Sequence, residues 1–280
     1  MKILILSDGK PGHENQSCAL AEAIERRVPT SQIEVHPYQD WREVSFKPQL
    51  VISAGHRTHW ALLAAKWHYQ APAIVLMKPS LPLALFDFVV APRHDFARGQ
   101  REPNVIITEG MLCRLPELMA EKVEQEMILV GGPSKHYSWD ESAIEQQLEA
   151  ILPQNGQQVL ITNSRRTPES TNGFIDLRCE TFFRWEQTER QWLPTELARS
   201  QRVWVTRDSM SMIYEALTSG AQVHVLDVPL AGKSTRVTRA IDLLIEHGLV
   251  GTLNNSPTNT LQFHEAARVS EIVLAQLPFR

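Results

Sequence analysis

The chain has 280 residues, of which 43% are hydrophobic and 21% charged, and a formal net charge of −4. This balance excludes extensive disorder and a global basic field that would draw the chain to nucleic acid. Three cysteines (Cys18, Cys113 and Cys179) stand far apart with no metal-ligand spacing and read as reduced thiols.

The first apolar run, Lys2 to Leu6, stops at Asp8, which is too short for the apolar core of a signal peptide. The longest apolar stretch, Leu81 to Ala91, is broken by Pro82 and Asp87 and cannot span a bilayer. A soluble, cytoplasmic protein is expected. Strand-length apolar runs fall near 2–7, 32–36, 49–53, 73–77, 87–91 and 104–108, and again near 127–131, 157–162, 202–206 and 222–227. Most are continuous rather than alternating, as in strands covered on both faces, and helix-length segments separate them. The pattern predicts α/β architecture with parallel sheets. Ten strands in one open sheet would be unusual, so two Rossmann-like domains are expected, covering residues 1–115 and 126–262. The join is placed between Gly110 and Glu126, where Pro116 to Glu126 reads as polar and helix-prone. The last segment, 263–280, is expected to carry a helix that packs back on the first domain. Residues 168–195 hold five aromatics with no clean period.

In open α/β sheets ligands bind beyond the carboxyl ends of the strands. The loop after the first strand, Asp8 to Ser17, contains Lys10, Gly12, His13 and Glu14. The loop after the third holds His56, Arg57 and His59, and the loop after the fifth holds Arg93, His94 and Asp95. His13, kept neutral at a helix start, is the candidate general base, with Asp8, Glu14 and Asp95 as rival carboxylates. Three histidines on three loops also raise a metal site, but no H-x-x-x-H pair occurs and no bound metal is expected. Trp60 and Trp67, seven apart on a predicted helix, suit a lipid-linked acceptor at a membrane surface, or are ordinary aromatics.

In the second half, Gly131 to Lys135 follows one strand and Thr162 to Thr167 the next. Arg165 and Arg166, flanked by Ser164 and Thr167, suit phosphate oxygens through charge and fork geometry. The segment Thr206 to Gly220 lies between two strand runs. At 100° per residue Met210, Ile213, Tyr214 and Leu217 share an apolar face, while Asp208, Ser211 and Glu215 share a polar one. Its hydroxyl-rich start offers backbone N–H groups to a diphosphate, and Glu215 could accept bonds from a ribose or sugar diol. The sequence Gly232 to Arg236 lacks the upstream glycine of a phosphate-binding loop, because position 227 is Asp227.

Together, Ser7 to Gln16, Pro92 to Asp95, Leu129 to Ser134, Ser164 to Pro168 and Val205 to Ala216 resemble the mitochondrial-fission (elongate-mitochondria) family, whose bacterial members are similar to GT-B glycosyltransferases. The resemblance implies two domains facing across a cleft. The C-terminal one would bind a nucleoside-diphosphate sugar through Gly132, Ser164, Arg165, Arg166, Asp208, Ser209, Met210, Ser211 and Glu215. The N-terminal side would face an acceptor with Lys10, Gly12, His56, Arg57, Arg93 and His94, and no cofactor or metal is implied. One departure is Ala221-Gln222, where such sequences usually place Pro after the small residue.

The activity expected is transfer of a sugar to a polysaccharide, lipid-linked or small-molecule acceptor, in the cytoplasm or peripheral to the inner membrane. Sugar-nucleotide epimerisation on the same fold, or an inactive scaffold that recruits a protein partner, are the rival readings.

Overall fold

A computed structural model describes residues 1–96, 102–114, 121–152, 158–189, 191–259 and 263–277. The chain divides into two compact units, Met1–Arg114 with His264–Arg280, and Leu115–Phe263.

The first unit holds a six-stranded parallel sheet. Its strands are β1 (Lys2–Ser7), β2 (Gln32–Pro37), β3 (Leu50–Ala54), β4 (Ala73–Leu76), β5 (Phe88–Pro92) and β6 (Val105–Thr108), in the order β2-β1-β3-β4-β5-β6. Because side chains alternate along a strand, one apolar sequence feeds two layers. Ile3, Ile5, Ile52 and Ile74 point into a core shared with α1 (Pro11–Arg27) and α8 (Glu265–Gln276). Leu4, Leu6, Val51 and Val75 point the other way, onto Leu62 and Leu63 of α2 (His59–Tyr69). Helix α8 packs on α1 through Val269 and Val273, so the last helix is part of the first unit.

The second unit holds a five-stranded parallel sheet, ordered β11-β10-β7-β8-β9. The strands are β7 (Val123–Leu129), β8 (Gln158–Thr162), β9 (Phe182–Phe183), β10 (Ser200–Thr206) and β11 (Gln222–Leu226). Helices α3 (Glu141–Ile151), α4 (Glu169–Asp176), α5 (Trp192–Arg199), α6 (Met210–Thr218) and α7 (Arg236–Glu246) complete it. Ile213, Tyr214 and Leu217 are buried as the helical wheel requires, whereas Met210 is only partly covered.

Two readings change. Val123 to Glu126, read as part of a helix-prone join, begins β7, because pairing with β10 overrides the local propensity. Of the rest of that stretch, 116–120 lie outside the described residues. The region 168–195 resolves into two eight-residue helices around a two-residue strand, too short for any period to show.

Strand order locates the crevices. In the first unit the chain leaves β1 for β2 on one side and returns to β3 on the other. In the second it runs β7, β8, β9 one way and then places β10 on the opposite flank of β7. Such reversals send the helices that follow the two strands to opposite faces of the sheet, and it is there, at the strands' carboxyl ends, that open α/β sheets receive ligands. The switch points are therefore β1/β3 and β7/β10. Among the described residues no helix is long and apolar enough to cross a membrane.

Candidate functional site

At the first switch point the loop after β1 meets the loop after β3. The Asp8 side chain is fully enclosed and accepts bonds from the backbone N–H of Lys10 at 3.1 Å and from His13 Nδ1 at 3.0 Å. A carboxylate at Nδ1 keeps a proton on that nitrogen and leaves Nε2 as the other ring atom for proton exchange. Gly55 packs against this ring: its φ is +86°, and a Cβ would collide with the His13 imidazole and press on Asp8. The loop stays in place because Thr58 Oγ1, fully buried, donates to the Gly55 carbonyl at 2.8 Å and lies 2.9 Å from Ser53 Oγ.

The enclosed Asp8 carboxylate therefore holds the His13 ring and the turn that carries it. Glu14 lies in the same turn: Ser7 Oγ donates to it at 2.8 Å and accepts from the Gly9 N–H at 3.0 Å, which braces the turn. Lys10 is exposed and precedes α1, and the α-carbon of Gly12 faces open space, so no neighbour in the fold requires glycine there. His56 and Arg57 are exposed in the turn before α2, and His59 is buried against Phe86, where desolvation holds its pKa down.

The third loop does not join them. Arg93, His94 and Asp95 follow β5, three strand spacings (about 14 Å) from the end of β1. The Arg93 guanidinium is bound to Glu109 and holds that carboxyl below its usual range. The Glu109 N–H donates to Glu265, which pairs with Arg268, so Arg93 belongs to a network reaching α8. The Asp95 carbonyl accepts from Lys78 Nζ at 2.9 Å. Among the described residues no group of three or more His, Cys, Asp or Glu side chains is arranged to hold a metal ion.

At the second switch point, the Thr206 hydroxyl accepts from the Gly131 N–H at 2.7 Å, and Asp208 accepts from the Gly132 N–H at 3.0 Å. The Asp208 carboxylate is fully enclosed and pairs with Arg166 at 2.7 Å. The same guanidinium donates to the Gly132 and Pro133 carbonyls at 2.5 and 3.0 Å. Asp208 and Arg166 thus clamp the glycine loop, with the Arg166 guanidinium still partly exposed. Gly132 must be glycine because a Cβ would strike the Arg166 carbonyl. Ser164 is likewise spent on its own turn, its oxygen accepting from the Arg166 N–H at 3.2 Å while its N–H donates to Thr167 Oγ1 at 2.9 Å.

Other groups remain for a ligand. Arg165 is exposed, with its guanidinium 5.9 Å from the centre of the Trp185 ring. Helix α6 starts at Ser209 without the side-chain cap that Asp140 gives α3 and Thr235 gives α7. Ser209, Met210 and Ser211 are partly exposed there. One turn on, Glu215 keeps a narrow opening to solvent, and burial pushes its carboxyl up to about 7.

Sequence reasoning missed three positions. Gly55 announces itself only as a glycine directly after an apolar run, and Trp185 lay in the stretch without a period. Met77, a non-glycine residue at φ +70° beyond β4, gives no sequence signal at all.

The family model for mitochondrial fission ELM1 matches residues 11–277. The chain belongs to the mitochondrial fission ELM1 family. This ELM1-family chain is 21% identical to an uncharacterized protein of Rickettsia prowazekii over 346 residues, covering 98% of each. Among solved structures it is similar to a Listeria monocytogenes protein assigned as a UDP-N-acetylglucosamine 2-epimerase, at TM-score 0.56 and 12% identity, with 98% of this chain and 95% of the other covered. It is also similar to UDP-GlcNAc 2-epimerase from Neisseria meningitidis bound to UDP-GlcNAc, at TM-score 0.52 and 13% identity, with 98% and 99% covered. The fold of this ELM1-family member is GT-B-like, with two Rossmann-like units.

Proposed function

We propose that this protein transfers a sugar from a nucleoside-diphosphate sugar to an acceptor hydroxyl. The observation that carries the reading is the His13–Asp8 pair at the first switch point, in which an enclosed carboxylate holds Nδ1 and leaves Nε2 as the ring atom for a substrate proton. In the reaction, Nε2 takes the proton of the acceptor hydroxyl, the hydroxyl oxygen bonds to the sugar C1, and the bond from C1 to the diphosphate oxygen breaks. The Asp8 carboxylate stabilises the imidazolium that forms. The nucleoside diphosphate leaves with its charge met by Arg165 and the uncapped start of α6. Glu215 accepts from the ribose diol.

A second reading, sugar-nucleotide epimerisation, is favoured by one feature. A carboxyl near 7, as at Glu215, exists in both protonation states at neutral pH, as proton removal and return at a sugar carbon require. The Neisseria structure holds UDP-GlcNAc, which makes uridine nucleotides the first to test.

A thermal-shift panel of nucleoside diphosphates and their sugars tests the common ground, since a ligand selective for the folded state raises its melting temperature. Stabilisation by at least one nucleotide, lost in Arg165→Ala, is expected. No stabilisation across the panel would leave the scaffold reading. Incubation of the bound sugar nucleotide in deuterium oxide separates the two enzymes: a ring carbon that gains deuterium means epimerisation, and an unlabelled donor consumed only with acceptor means transfer.

A further inference from the structure

Helix α2 presents an outer face that the fold does not cover. Leu62, Leu63 and Ala65 are buried against the sheet, but Trp60 and Trp67 are 68% and 62% exposed. Seven residues apart, they stand about 20° apart around the helix and about 10.5 Å apart along it, one above the other. Ala64 lies between them on the same face. A soluble surface seldom shows two stacked tryptophans so open, and a tryptophan's flat apolar body and polar N–H favour the headgroup level of a bilayer.

The segment that carries this face has charge of one sign. Residues 44–86 contain no Asp or Glu, in a chain that has 32, yet they carry Lys47, Arg57, Lys66 and Lys78 as well as His56, His59 and His68. Arg57 and His56 are exposed directly before the helix, and His68 is exposed at its end. Elements packed against α2 bring two carboxylates: Asp87, paired with Lys66 at 2.9 Å, and Asp40, in the turn beneath its last residues. An aromatic ridge with a basic rim and no carboxylate of its own fits an anionic lipid surface.

We infer that the outer face of α2 docks the first unit on anionic membranes, with Trp60 and Trp67 seated among the headgroups. The helix starts directly after the Gly55 to Thr58 loop, so docking brings that loop to the bilayer surface. The inference does not depend on the chemistry proposed above.

Flotation of the full chain with phosphatidylcholine vesicles, with and without about 30% phosphatidylglycerol, tests it. The native protein should float with the anionic vesicles and largely detach in high salt. A Trp60→Ala/Trp67→Ala double variant should lose about tenfold or more in partitioning at unchanged melting temperature, because both side chains are already exposed. Trp60→Phe/Trp67→Phe should recover part of the loss. Brominated lipids should quench the fluorescence of the native protein more than that of the double variant. Equal flotation of the native and double-alanine proteins, or none with either vesicle, would overturn the assignment. So would retention on immobilised oligosaccharides that the double variant loses while vesicle binding persists, which would make the face a sugar platform. The nucleotide-induced thermal shift should be the same in the double variant, so failure of docking and failure of the donor reading are told apart.

Discussion

The two switch points are built from similar pieces and end in opposite states. Each places a carboxylate from one loop against a glycine of the other, Asp8 on Gly55 and Asp208 on Gly131. At β1/β3 the carboxylate orients a ring whose second nitrogen remains chemically useful. At β7/β10 its Oδ2 is taken by a guanidinium and a backbone N–H, which lock a loop shape, while its Oδ1 is buried with no hydrogen-bond partner. A charged residue at a strand's end is therefore not evidence of ligand contact by itself. Its partner decides whether it acts on a substrate or on the protein.

Substitutions can break this contrast, and the largest effect is expected at His13. In whichever transfer assay the nucleotide panel identifies, His13→Ala should lower turnover by about 10²- to 10⁴-fold with donor affinity unchanged, and native turnover would remove the base from the mechanism. Asp8→Asn should act in the same direction, since it keeps the shape and removes the charge that supports the imidazolium. Next comes Gly132→Ala, whose Cβ meets a backbone carbonyl that cannot swing aside; denaturant unfolding should show a loss of about 3 kcal/mol.

The adjacent arginines then sharpen the comparison. Arg166→Ala strands the enclosed Asp208 and should cost about 2 kcal/mol of stability, less than a fully buried pair because the guanidinium is partly exposed. Arg165→Ala should leave stability unchanged and weaken diphosphate binding about tenfold. If calorimetry and unfolding gave the two variants the same profile, the division of labour between them would be wrong.

The smallest effect concerns Glu215. Its folded pKa is raised from 4.5 to about 7, so the folded state binds the proton more tightly than the unfolded state. The stability this contributes is complete below 4.5, declines as pH rises, and is lost through about 7. Glu215→Gln should remove that slope, which melting curves at stepped pH would reveal.

The sequence by itself determined the layers. Continuous apolar runs alternating with helical segments mark ten of the eleven strands among the described residues to within four residues, because a strand buried on both faces has to be apolar throughout. It also picked out the loops rich in polar groups and glycine directly after such strands, the places where an open α/β sheet receives its ligands. Tertiary structure alone decided which loops meet. Nothing local says that the β3 loop lies beside His13 while the β5 loop lies three strands away, because strand order is a property of the whole sheet. The roles of Arg165 and Arg166 diverge for the same reason: neighbours in the chain with the same side chain, they differ only in that a carboxylate 42 residues away reaches one and not the other.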